Sequence, residues 1–388
     1  MIVRHPLPTL GRMDSNLKAD LPEESSLDTR LAQAGSRWDV RTGGISMPIH
    51  LAATFRHPGL GRTTGWDYSR SGNPTGQGLE DLLASIEGAT RAFAFASGMA
   101  AVDAVLRLLA PGSRIVVPEE IYGGTWRILE RVGEPWGLQV RWVSFRDLAE
   151  RPDSLLEGAD MVLFETPTNP TLLDADPTAV LAAARRAGCL SVVDATFLTP
   201  VLLRPLELGA DLVVHSGTKY LSGHSDLTAG VVATRDRGLA DRIGYLRNTT
   251  GAVLSPFDSW LLLRGLKTLS LRVRRQQDTA RTLASALPGL PGIVRVAYPG
   301  RGGMVAFEVD SAGRVETLLE RVRVWIFAES LGGTESLVTV PASQTHADVD
   351  AAVRERLGIT DRLVRLSVGL EDPADLIEDL RSALGAAP

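Results

Sequence analysis

Two short apolar runs, each followed at once by polar side chains, constrain the fold of this chain most strongly. The run 191–193 ends at Asp194, and the run 212–214 is followed within a few residues by Lys219. Apolar runs bounded in this way are typical of buried strands in a parallel sheet. Ligands of such sheets bind beyond the carboxyl ends of the strands, where Asp194 and Lys219 would both lie. A cofactor that acts as an electron sink needs this pair, because a lysine binds it as a Schiff base and an acid pairs with its ring nitrogen. We therefore hypothesise that Lys219 holds pyridoxal 5'-phosphate.

Between residues 79 and 216 the chain alternates short apolar runs with segments whose apolar residues recur at helical spacing. The runs predict strands that are buried on both faces, and the periodic segments predict amphipathic helices. Repeated strand–helix units predict the α/β class, with a doubly wound, mostly parallel sheet and helices on both faces. Besides the two opening runs, the predicted strands are 92–96, 115–117, 140–143 and 161–164. The predicted helices are 79–86, 125–132 and 178–187, with Gly88 as the stop of the first. A further helix is predicted after Ser97 and carries Val102, Leu106 and Leu109.

The stretch Ser97-Gly98-Met99 joins a predicted strand to a predicted helix. Free backbone N–H groups and the helix dipole make such a junction a ready anion site. Taken alone, the motif is better explained as an ordinary tight turn between a strand and a helix. In the company of Asp194 and Lys219 we interpret it as a phosphate site.

The remaining segments predict an arm and a second, smaller domain. Residues 1–26 are rich in Pro, Ser and charge, and residues 27–55 contain no long periodic segment. Ser255-Pro256 starts a helical pattern that runs towards Leu287, with Ser as N-cap and Pro at N1. An α+β domain follows, with strands at 293–297, 304–309, 324–327 and 363–368 and helices at 314–322 and 373–384. We divide the chain into an N-terminal extension and arm (1–64), a large cofactor-binding domain (65–254) and a small C-terminal domain (255–388).

Composition narrows the classes of function and the compartment. A length of 388 residues suggests two domains, and a net charge of −5 with 44% hydrophobic residues gives no reason to expect nucleic acid. The single cysteine, Cys189, rules out an intrachain disulfide and suits a reducing cytoplasm, where we expect it buried and structural. We find no signal peptide and no apolar run of the ~20 residues that cross a bilayer. We expect a soluble, cytoplasmic protein, with the dense stretch 272–275 on a solvated helix face.

Motifs spread over most of the chain are highly specific when they occur together. They are Tyr68-Ser-Arg70-Ser-Gly-Asn-Pro-Thr, Ser97-Gly98-Met99-Ala, Tyr122-Gly-Gly, Glu165-Thr-Pro-Thr-Asn169-Pro, Val193-Asp194, Ser216-x-Thr218-Lys219-Tyr, Ser330-Leu-Gly-Gly and Arg365-Leu-Ser-Val-Gly369. With them the chain resembles, from about Leu27 to its C-terminus, the cysteine and methionine metabolism (trans-sulfuration) enzymes that depend on pyridoxal phosphate. The resemblance implies the aspartate-aminotransferase-like fold (fold type I).

The resemblance implies a role for each motif residue. Lys219 binds the cofactor and carries protons, and Asp194 pairs with the ring nitrogen; by the residues alone they could be a solvated lysine and a capping acid. Tyr122 stacks on the ring and acts with Lys219 in catalysis, although a core aromatic is the plainer explanation. The remaining roles are the phosphate cradle (backbone of Gly98 and Met99, hydroxyls of Ser216 and Thr218), the phosphate contact from a neighbouring subunit (Tyr68 and Arg70), the ring-hydroxyl contact (Asn169), the substrate α-carboxylate contact (Arg365) and the loop beside it (Ser330).

Fewer residues bear on the reaction itself. Glu329 resembles the acid that cystathionine γ-synthases and γ-lyases carry at this position, and Arg127 and Asp67 resemble groups for a second amino-acid end. Arg127 and Asp67 could instead sit in structural ion pairs. The compact stretch 298–304 looks most like bacterial cystathionine γ-synthases that also show O-acetylhomoserine thiolyase activity. The resemblance implies γ-replacement of O-acylhomoserine by cysteine or sulfide in methionine biosynthesis, in a homotetramer of dimers that share active sites.

Other functions stay open at this point. A cystathionine γ-lyase or β-lyase would use the same motifs, and a regulator could bind the cofactor without turnover. A nicotinamide-binding protein is poorly supported, because no Gly-x-Gly-x-x-Gly follows the first strand. We assign no metal site. Two departures from the family pattern stand near the cofactor motifs: Ala195 where Asn is usual, and Gly217 where Ala is usual. Ala195 removes a hydrogen-bonding group near the cofactor, which bears on rate or substrate preference but removes no catalytic group.

Overall fold

The computed structural model describes residues 21–385 apart from Glu23. The predicted extension at residues 1–20 lies outside the described residues. Within them the chain forms a seven-stranded sheet followed by a five-stranded sheet. The domain boundaries at residues 64 and 254 stay predictions. The strands are β1 (Arg91–Phe95), β2 (Arg114–Pro118), β3 (Gln139–Val143), β4 (Met161–Glu165), β5 (Leu190–Asp194), β6 (Leu212–Ser216), β7 (Gly230–Thr234), β8 (Ile293–Ala297), β9 (Met304–Val309), β10 (Ile326–Phe327), β11 (Leu337–Thr339) and β12 (Leu363–Ser367).

Helices cover both faces of the first sheet and pack on the second. Gly88 ends the first long helix in a left-handed conformation, as predicted. Ser97 and Ser255 cap the helices that follow them, with Pro256 at the first position of the latter. The helices are α1 (Leu27–Ala32), α2 (Pro74–Glu87), α3 (Gly98–Leu106), α4 (Gly123–Ile128), α5 (Phe145–Glu150), α6 (Pro152–Leu156), α7 (Thr178–Ala187), α8 (Thr199–Leu202), α9 (Arg237–Thr250), α10 (Pro256–Leu266), α11 (Leu269–Ala286), α12 (Ala312–Arg321), α13 (Ala351–Arg356) and α14 (Pro373–Gly385).

The seven-stranded sheet has the order β1-β7-β6-β5-β4-β2-β3. Every pairing is parallel except those of β7, which runs antiparallel to both β1 and β6. Alternate residues of a strand enter different apolar clusters: Val193 packs with one layer of helices, and Val192 and Val214 pack with the other. Coverage of both faces is the reason that the strands are apolar without alternation. The predicted doubly wound, mostly parallel fold is confirmed.

The carboxyl ends of β4, β5 and β6 meet at one edge of this sheet. The register pairs Glu165 with Asp194 and Asp194 with Val214. Ser216 ends β6, and Lys219 follows in the next turn. The two opening sequence features are therefore neighbours in space, as the strand pattern predicts.

The five-stranded sheet has the order β10-β11-β12-β9-β8. It is antiparallel apart from the short β10–β11 pair. A third apolar cluster, which includes Leu283, Phe307, Val364 and Leu380, packs this sheet against helices. Its central strand β12 carries Arg365 towards the edge of the first sheet.

The prediction of one helix from Ser255 to Leu287 is wrong, because α10 ends at Leu266 and α11 begins at Leu269. The carbonyl of Gly265 accepts bonds from the backbone of Thr268 and from the Arg272 guanidinium. Arg272 is buried and also donates to the Tyr220 carbonyl at 2.8 Å. It therefore ties α11 to the loop after Lys219, and the expectation of a solvated Arg272 is wrong.

Other differences are smaller. The predicted helix 125–132 is α4 followed by a π-helical turn, and the predicted strand 324–327 pairs only at Ile326–Phe327. Strands β7 and β11 and helix α9 were not predicted. Cys189 is buried as expected, and burial raises the pKa of its thiol to about 12. Among the described residues, no helix has the length and apolar character that a membrane span requires.

Candidate active site

A cavity with an empty volume of about 1000 Å³ lies at the carboxyl edge of the large sheet. Segments from β4, β5, β6, the start of α3, the start of α4 and the second sheet all contribute to it. The predicted site residues that line it are Gly98, Met99, Tyr122, Asn169, Asp194, Ser216, Thr218, Lys219, Glu329, Ser330 and Arg365. Residues far apart in the sequence therefore converge on one space, as the site hypothesis requires.

Lys219 is the basic centre of this cavity. Its Nζ donates to Ser330 Oγ at 2.7 Å. Burial and the nearby Arg365 lower the pKa of Lys219 to about 8, and Glu329 opposes them in part. A lysine with this pKa has an appreciable neutral fraction near neutral pH, so it can act as a nucleophile towards an aldehyde and as a base.

Two carboxyl groups, Asp194 and Glu165, lie side by side at the strand ends. Burial raises the pKa of both, and the Asp194 charge raises that of Glu165 further, well above its usual range. The backbone N–H of Thr196 donates to Asp194 Oδ1 at 2.9 Å and favours its ionised form. Glu165 accepts the N–H of Asn169 at 2.6 Å. We therefore place the proton on Glu165 and the negative charge on Asp194, which suits pairing with a protonated ring nitrogen.

The N-terminus of α3 faces the same cavity and fits a phosphate. Ser97 uses its own oxygens to cap Ala100 and Ala101, which leaves the first N–H groups of the helix for a ligand. A Cβ at Gly98 would lie 3.0 Å from Ser216 Cβ, so the close approach of these two segments requires glycine. The hydroxyl-bearing residues Ser216 and Thr218 complete this wall.

Tyr122 also lines the cavity, and its backbone hydrogen-bonds to Glu165 at the end of β4. It precedes α4, and burial raises the pKa of its hydroxyl. A Cβ at Gly124 would overlap the Tyr122 ring, and one at Gly123 would overlap the Thr345 carbonyl. The two glycines of the Tyr-Gly-Gly motif therefore allow the ring and the loop at Thr345 to pack closely on the helix start.

Arg365 is 1% exposed and closes the far end of the cavity. Its Nη1 donates to Asn169 Oδ1 at 2.7 Å, and its Nη2 donates to the Ser330 carbonyl at 3.2 Å. Its Nε has no hydrogen-bond partner within the described part of the chain. Burial lowers the pKa of Arg365 to about 10, which leaves it charged at neutral pH. A buried guanidinium with a free N–H and only neutral bonding partners is suited to receive a carboxylate.

Ser330 connects the basic and the anion-binding parts of the site. It has a φ of 97°, a left-handed conformation that is strained for a residue other than glycine. In this conformation its hydroxyl meets Lys219 while its carbonyl meets Arg365. The loop thereby fixes two catalytic-site cations relative to each other.

The structure does not bring four of the predicted residues into this cavity. Asp67, Tyr68 and Arg70 lie on a segment where Arg70 donates to the Asn248 carbonyl at 2.6 Å and stacks 5.6 Å from the Tyr68 ring centroid. Arg127 forms an exposed ion pair with Asp348 at 2.5 Å, the structural alternative that the sequence left open. Their binding roles stay predictions.

The cavity also contains residues that the sequence did not identify. Glu165 ends β4 as Asp194 ends β5, so the same strand-end pattern marks it in the sequence. Thr196 Oγ1 accepts the Ser216 N–H at 2.8 Å and links the ends of β5 and β6. Thr345 also lines the cavity, and its neighbour His346 contacts the Asn169 carbonyl at 3.0 Å through Nε2. A single-sequence pattern gives no sign of these long-range contacts.

The structure shows the surroundings of the two departures from the family pattern. Ala195 is fully buried in the apolar cluster on the far side of the sheet and does not line the cavity. The effect of the missing hydrogen-bonding group on rate or substrate preference stays a prediction. A Cβ at Gly217 would lie 2.9 Å from Ala229 Cβ, so glycine fits the packing of this chain.

Comparisons with known proteins identify the family of this chain. The family model described as Cys/Met metabolism PLP-dependent enzyme matches residues 28–385. A protein named cystathionine gamma-synthase/O-acetylhomoserine (thiol)-lyase from Bacillus subtilis (strain 168) is 46% identical, over 92% of this chain and 96% of its own. A cystathionine beta-lyase from Lactococcus lactis subsp. cremoris (strain MG1363) is 41% identical, over 93% and 99%. The crystal structure of a cystathionine gamma synthase from Xanthomonas oryzae pv. oryzae in complex with cystathionine matches with a TM-score of 0.90 and 39% identity, over 93% and 98%. The chain therefore belongs to the pyridoxal-phosphate-dependent enzymes of cysteine and methionine metabolism.

Proposed function

We propose that this enzyme performs γ-replacement, as a cystathionine γ-synthase does, and joins an O-acylhomoserine to cysteine or, in its place, to sulfide. The position of Glu329, an acid that the resemblance gives to γ-synthases and γ-lyases alike, carries the part of the proposal that concerns a second amino acid. It lines the cavity beside Ser330 and acts electrostatically on Lys219, Arg365 and Tyr122. A carboxylate there can bind the ammonium group of a second amino acid. The name of the 46% identical relative from Bacillus subtilis supports the same activity.

The chain's own groups divide the work as follows. Arg365 binds the substrate α-carboxylate through its free Nε. The cofactor, when bound, supplies an electron sink that stabilises negative charge at the substrate carbon. Gly98, Met99, Ser216 and Thr218 would hold its phosphate, and Asp194 would hold its ring nitrogen.

Lys219 is the proton carrier at the substrate. With cofactor and substrate bound, its Nζ would be a free neutral amine: it would take the Cα proton, pass that proton on to the cofactor, and only then take a Cβ proton. The bond between Cγ and the acyl oxygen would then break, and the acyl group would leave as a carboxylate. After the sulfur of the cysteine thiolate has bonded to Cγ, Lys219 would return one proton to Cβ and one to Cα. Ser330 holds the amine within reach of these positions.

We infer that the cavity is completed by a second copy of the chain. The segment before α2 exposes Ile45, Leu51 and Leu60, which are large apolar residues without cover in the single chain. The same segment carries Tyr68 and Arg70 outside their own cavity. In a dimer this segment would contact the partner, and Arg70 would reach the partner's phosphate site; two such dimers would form the homotetramer.

The test is a product assay with the purified enzyme. O-acetyl- or O-succinyl-homoserine is supplied with cysteine, and cystathionine is measured against a Lys219→Ala control. We expect cystathionine and free acyl carboxylate in equal amounts. Sulfide in place of cysteine would give homocysteine. The absence of cystathionine, together with release of pyruvate or 2-oxobutyrate from added cystathionine, would replace the proposal with a lyase.

A lyase is the second candidate, and the 41% identical relative named cystathionine beta-lyase favours it. Glu329→Gln separates the two reactions by its effect on one substrate. In a synthase, the KM for cysteine rises while that for the acylhomoserine changes less. A β-lyase or γ-lyase acts on cystathionine, so in that case the enzyme without the substitution consumes no acylhomoserine. A regulator without turnover would bind cofactor at Lys219, as borohydride trapping would show, but would convert neither substrate.

A further inference from the structure

A buried acid–base pair lies directly behind the cofactor site and has no role in the steps above. His215 Nε2 and Glu87 Oε1 are 2.6 Å apart, and both side chains are 1% exposed. Glu87 ends α2, and His215 lies in β6. Glu87 forms no other ion pair within the described residues. A distance this short between buried groups is typical of a charge-assisted bond between an imidazolium and a carboxylate.

The strand register places His215 beside the residues that carry the ring-nitrogen acid. Asp194 pairs with Val214, so Ala195 and His215 are the next neighbours across the parallel pair. Ser216 lines the cavity, and His215 points to the opposite face because successive side chains alternate. Charges on His215 and Asp194 stabilise each other through this layer.

Few other groups determine the charge of Asp194. It faces the N–H of Thr196 and the carboxyl of Glu165, which favour and oppose its ionisation respectively. His215 is the one cationic group that acts on it within the described part of the chain. Lys219, in the cavity itself, is influenced by Arg365 and Glu329 and not by this pair.

We propose that Glu87 and His215 form a positioning pair, in which Glu87 holds His215 as an imidazolium and His215 keeps Asp194 ionised for the ring nitrogen of pyridoxal phosphate. The positive charge lies on the β5 side of the pair and the negative charge lies farther away, on α2. Asp194 therefore experiences a net favourable field in a region of low dielectric, where such a field acts strongly. Neither residue touches the cofactor, so the effect passes entirely through Asp194.

Within the described part of the chain, two atoms of the pair make no hydrogen bond outside it. Glu87 Oε2 and His215 Nδ1 have no hydrogen-bond partner among the described residues. A pair that served packing alone could be replaced by apolar side chains without loss, and buried ion pairs often tolerate that exchange. The functional role predicts that such an exchange preserves folding but weakens the hold on the ring nitrogen.

The test compares two cofactors on the full-length protein after its cofactor has been removed. One is pyridoxal phosphate, and the other is its carbocyclic analogue, which keeps the aldehyde and the phosphate but has C–H in place of the ring nitrogen. In Glu87→Gln and His215→Gln we expect the Kd for pyridoxal phosphate to rise about tenfold, which corresponds to one pKa unit of Asp194. The Kd for the analogue should stay within about twofold.

Two further variants make the result decisive. The double variant Glu87→Met/His215→Met keeps the volume and removes both charges, so it should fold and still lose affinity for pyridoxal phosphate only. Glu80→Gln is the matched control, because Glu80 is another buried α2 carboxylate in an ion pair, with Arg247, away from the cavity. It should change both Kd values by the same factor. Equal losses for both cofactors in the Glu87 and His215 variants would overturn the proposal and leave a packing role. The assay involves no turnover, so its outcome is independent of whether the enzyme is a synthase or a lyase.

Discussion

The cavity wall and the segment 45–72 carry predicted site residues of the same family motif set, yet they differ in every physical respect. On the wall, Arg365 is buried and Lys219 is partly buried, and hydrogen bonds hold both side chains between the two sheets. On the segment, Leu60 is fully exposed and Leu51 is 72% exposed. Its regular pairing is limited to isolated bridges such as the one between Thr54 and Tyr68.

This difference separates what one chain supplies from what it lacks. The wall carries the residues that we assign to the ring nitrogen, the covalent link and the substrate carboxylate. Among the described residues, the part of the cavity beside the start of α3 has backbone N–H groups and the hydroxyls of Ser216 and Thr218, but no arginine. Arg70 has the planar fork that suits phosphate oxygens, and it lies on the segment that needs another surface to cover it. Each prediction below would break or sharpen the contrast between a self-contained wall and a segment that serves another copy.

The largest effects concern Lys219 and its complementation. Lys219→Ala should lower kcat by about 10³-fold or more, because the proton carrier is lost. Arg70→Ala should keep Lys219 chemistry but bind cofactor weakly. If the segment 45–72 contacts the partner's cavity, a hybrid dimer with one chain of each variant has one site in which both Lys219 and Arg70 are intact.

Mixing the two inactive variants, after unfolding and refolding together, measures this sharing. Random pairing makes half of the dimers hybrid with one intact site of two, so about a quarter of wild-type turnover per chain should return. The control is each variant refolded alone. A mixture no more active than the sum of its parts would show that Arg70 acts within its own chain or not at all.

Arg365→Lys tests the carboxylate-binding part of the wall. Lysine keeps the charge but loses the fork that reaches Asn169, Ser330 and the substrate. Hydrogen bonds to charged groups contribute about 1.5–3 kcal/mol, so kcat/KM should fall roughly 10- to 100-fold, mainly through KM. Arg362→Lys is the control, since Arg362 lies near the start of the same strand in an exposed pair with Glu308 and should change little. An unchanged KM for the acylhomoserine would place the carboxylate elsewhere.

The same contrast explains how much the sequence could predict. The edge that carries Asp194 and Lys219 follows from local pattern, because each strand is apolar to its last residues and polar beyond them. Arg365 was identified by family resemblance alone, since a buried arginine in an apolar strand has no local signature. Its role depends on Asn169 and Ser330, which reach it only after the two sheets pack.

The failures have a common physical cause. The helix breaks between Leu266 and Leu269, where the Arg272 guanidinium donates to the Gly265 carbonyl. From its local sequence, Arg272 would be expected on the surface. Arg127 forms its ion pair with Asp348, which lies in the sequence beyond the predicted domain boundary at residue 254. In each case a charged side chain selects a distant partner, and spacing along the chain carries no information about that choice.

Substitutions at Ser330 test whether the backbone of its loop is strained in the folded protein. Both Ser330→Gly and Ser330→Ala remove the bond to Lys219, and each should lower kcat/KM about tenfold, as expected for one hydrogen bond of about 1–1.5 kcal/mol. Their stabilities should differ, because glycine accepts a φ of 97° and alanine does not. Urea unfolding should find Ser330→Gly more stable than Ser330→Ala by about 1 kcal/mol. The reverse order would show that the loop is not strained in the folded protein.

The smallest expected effect concerns the charge balance at Lys219. The neutral amine attacks the cofactor aldehyde, so the rate of covalent cofactor uptake by the cofactor-free protein should rise with pH through about 8 and then level off, following the pKa of Lys219. Glu329 favours the ammonium form and raises that pKa, so Glu329→Gln should move the midpoint to lower pH. Glu335→Gln is the control, because Glu335 lines the neighbouring groove and does not act on Lys219. A midpoint that stays in place in Glu329→Gln would mean that Glu329 faces away from the amine in solution, and the wall would then lack the carboxylate that we assign to the second amino acid.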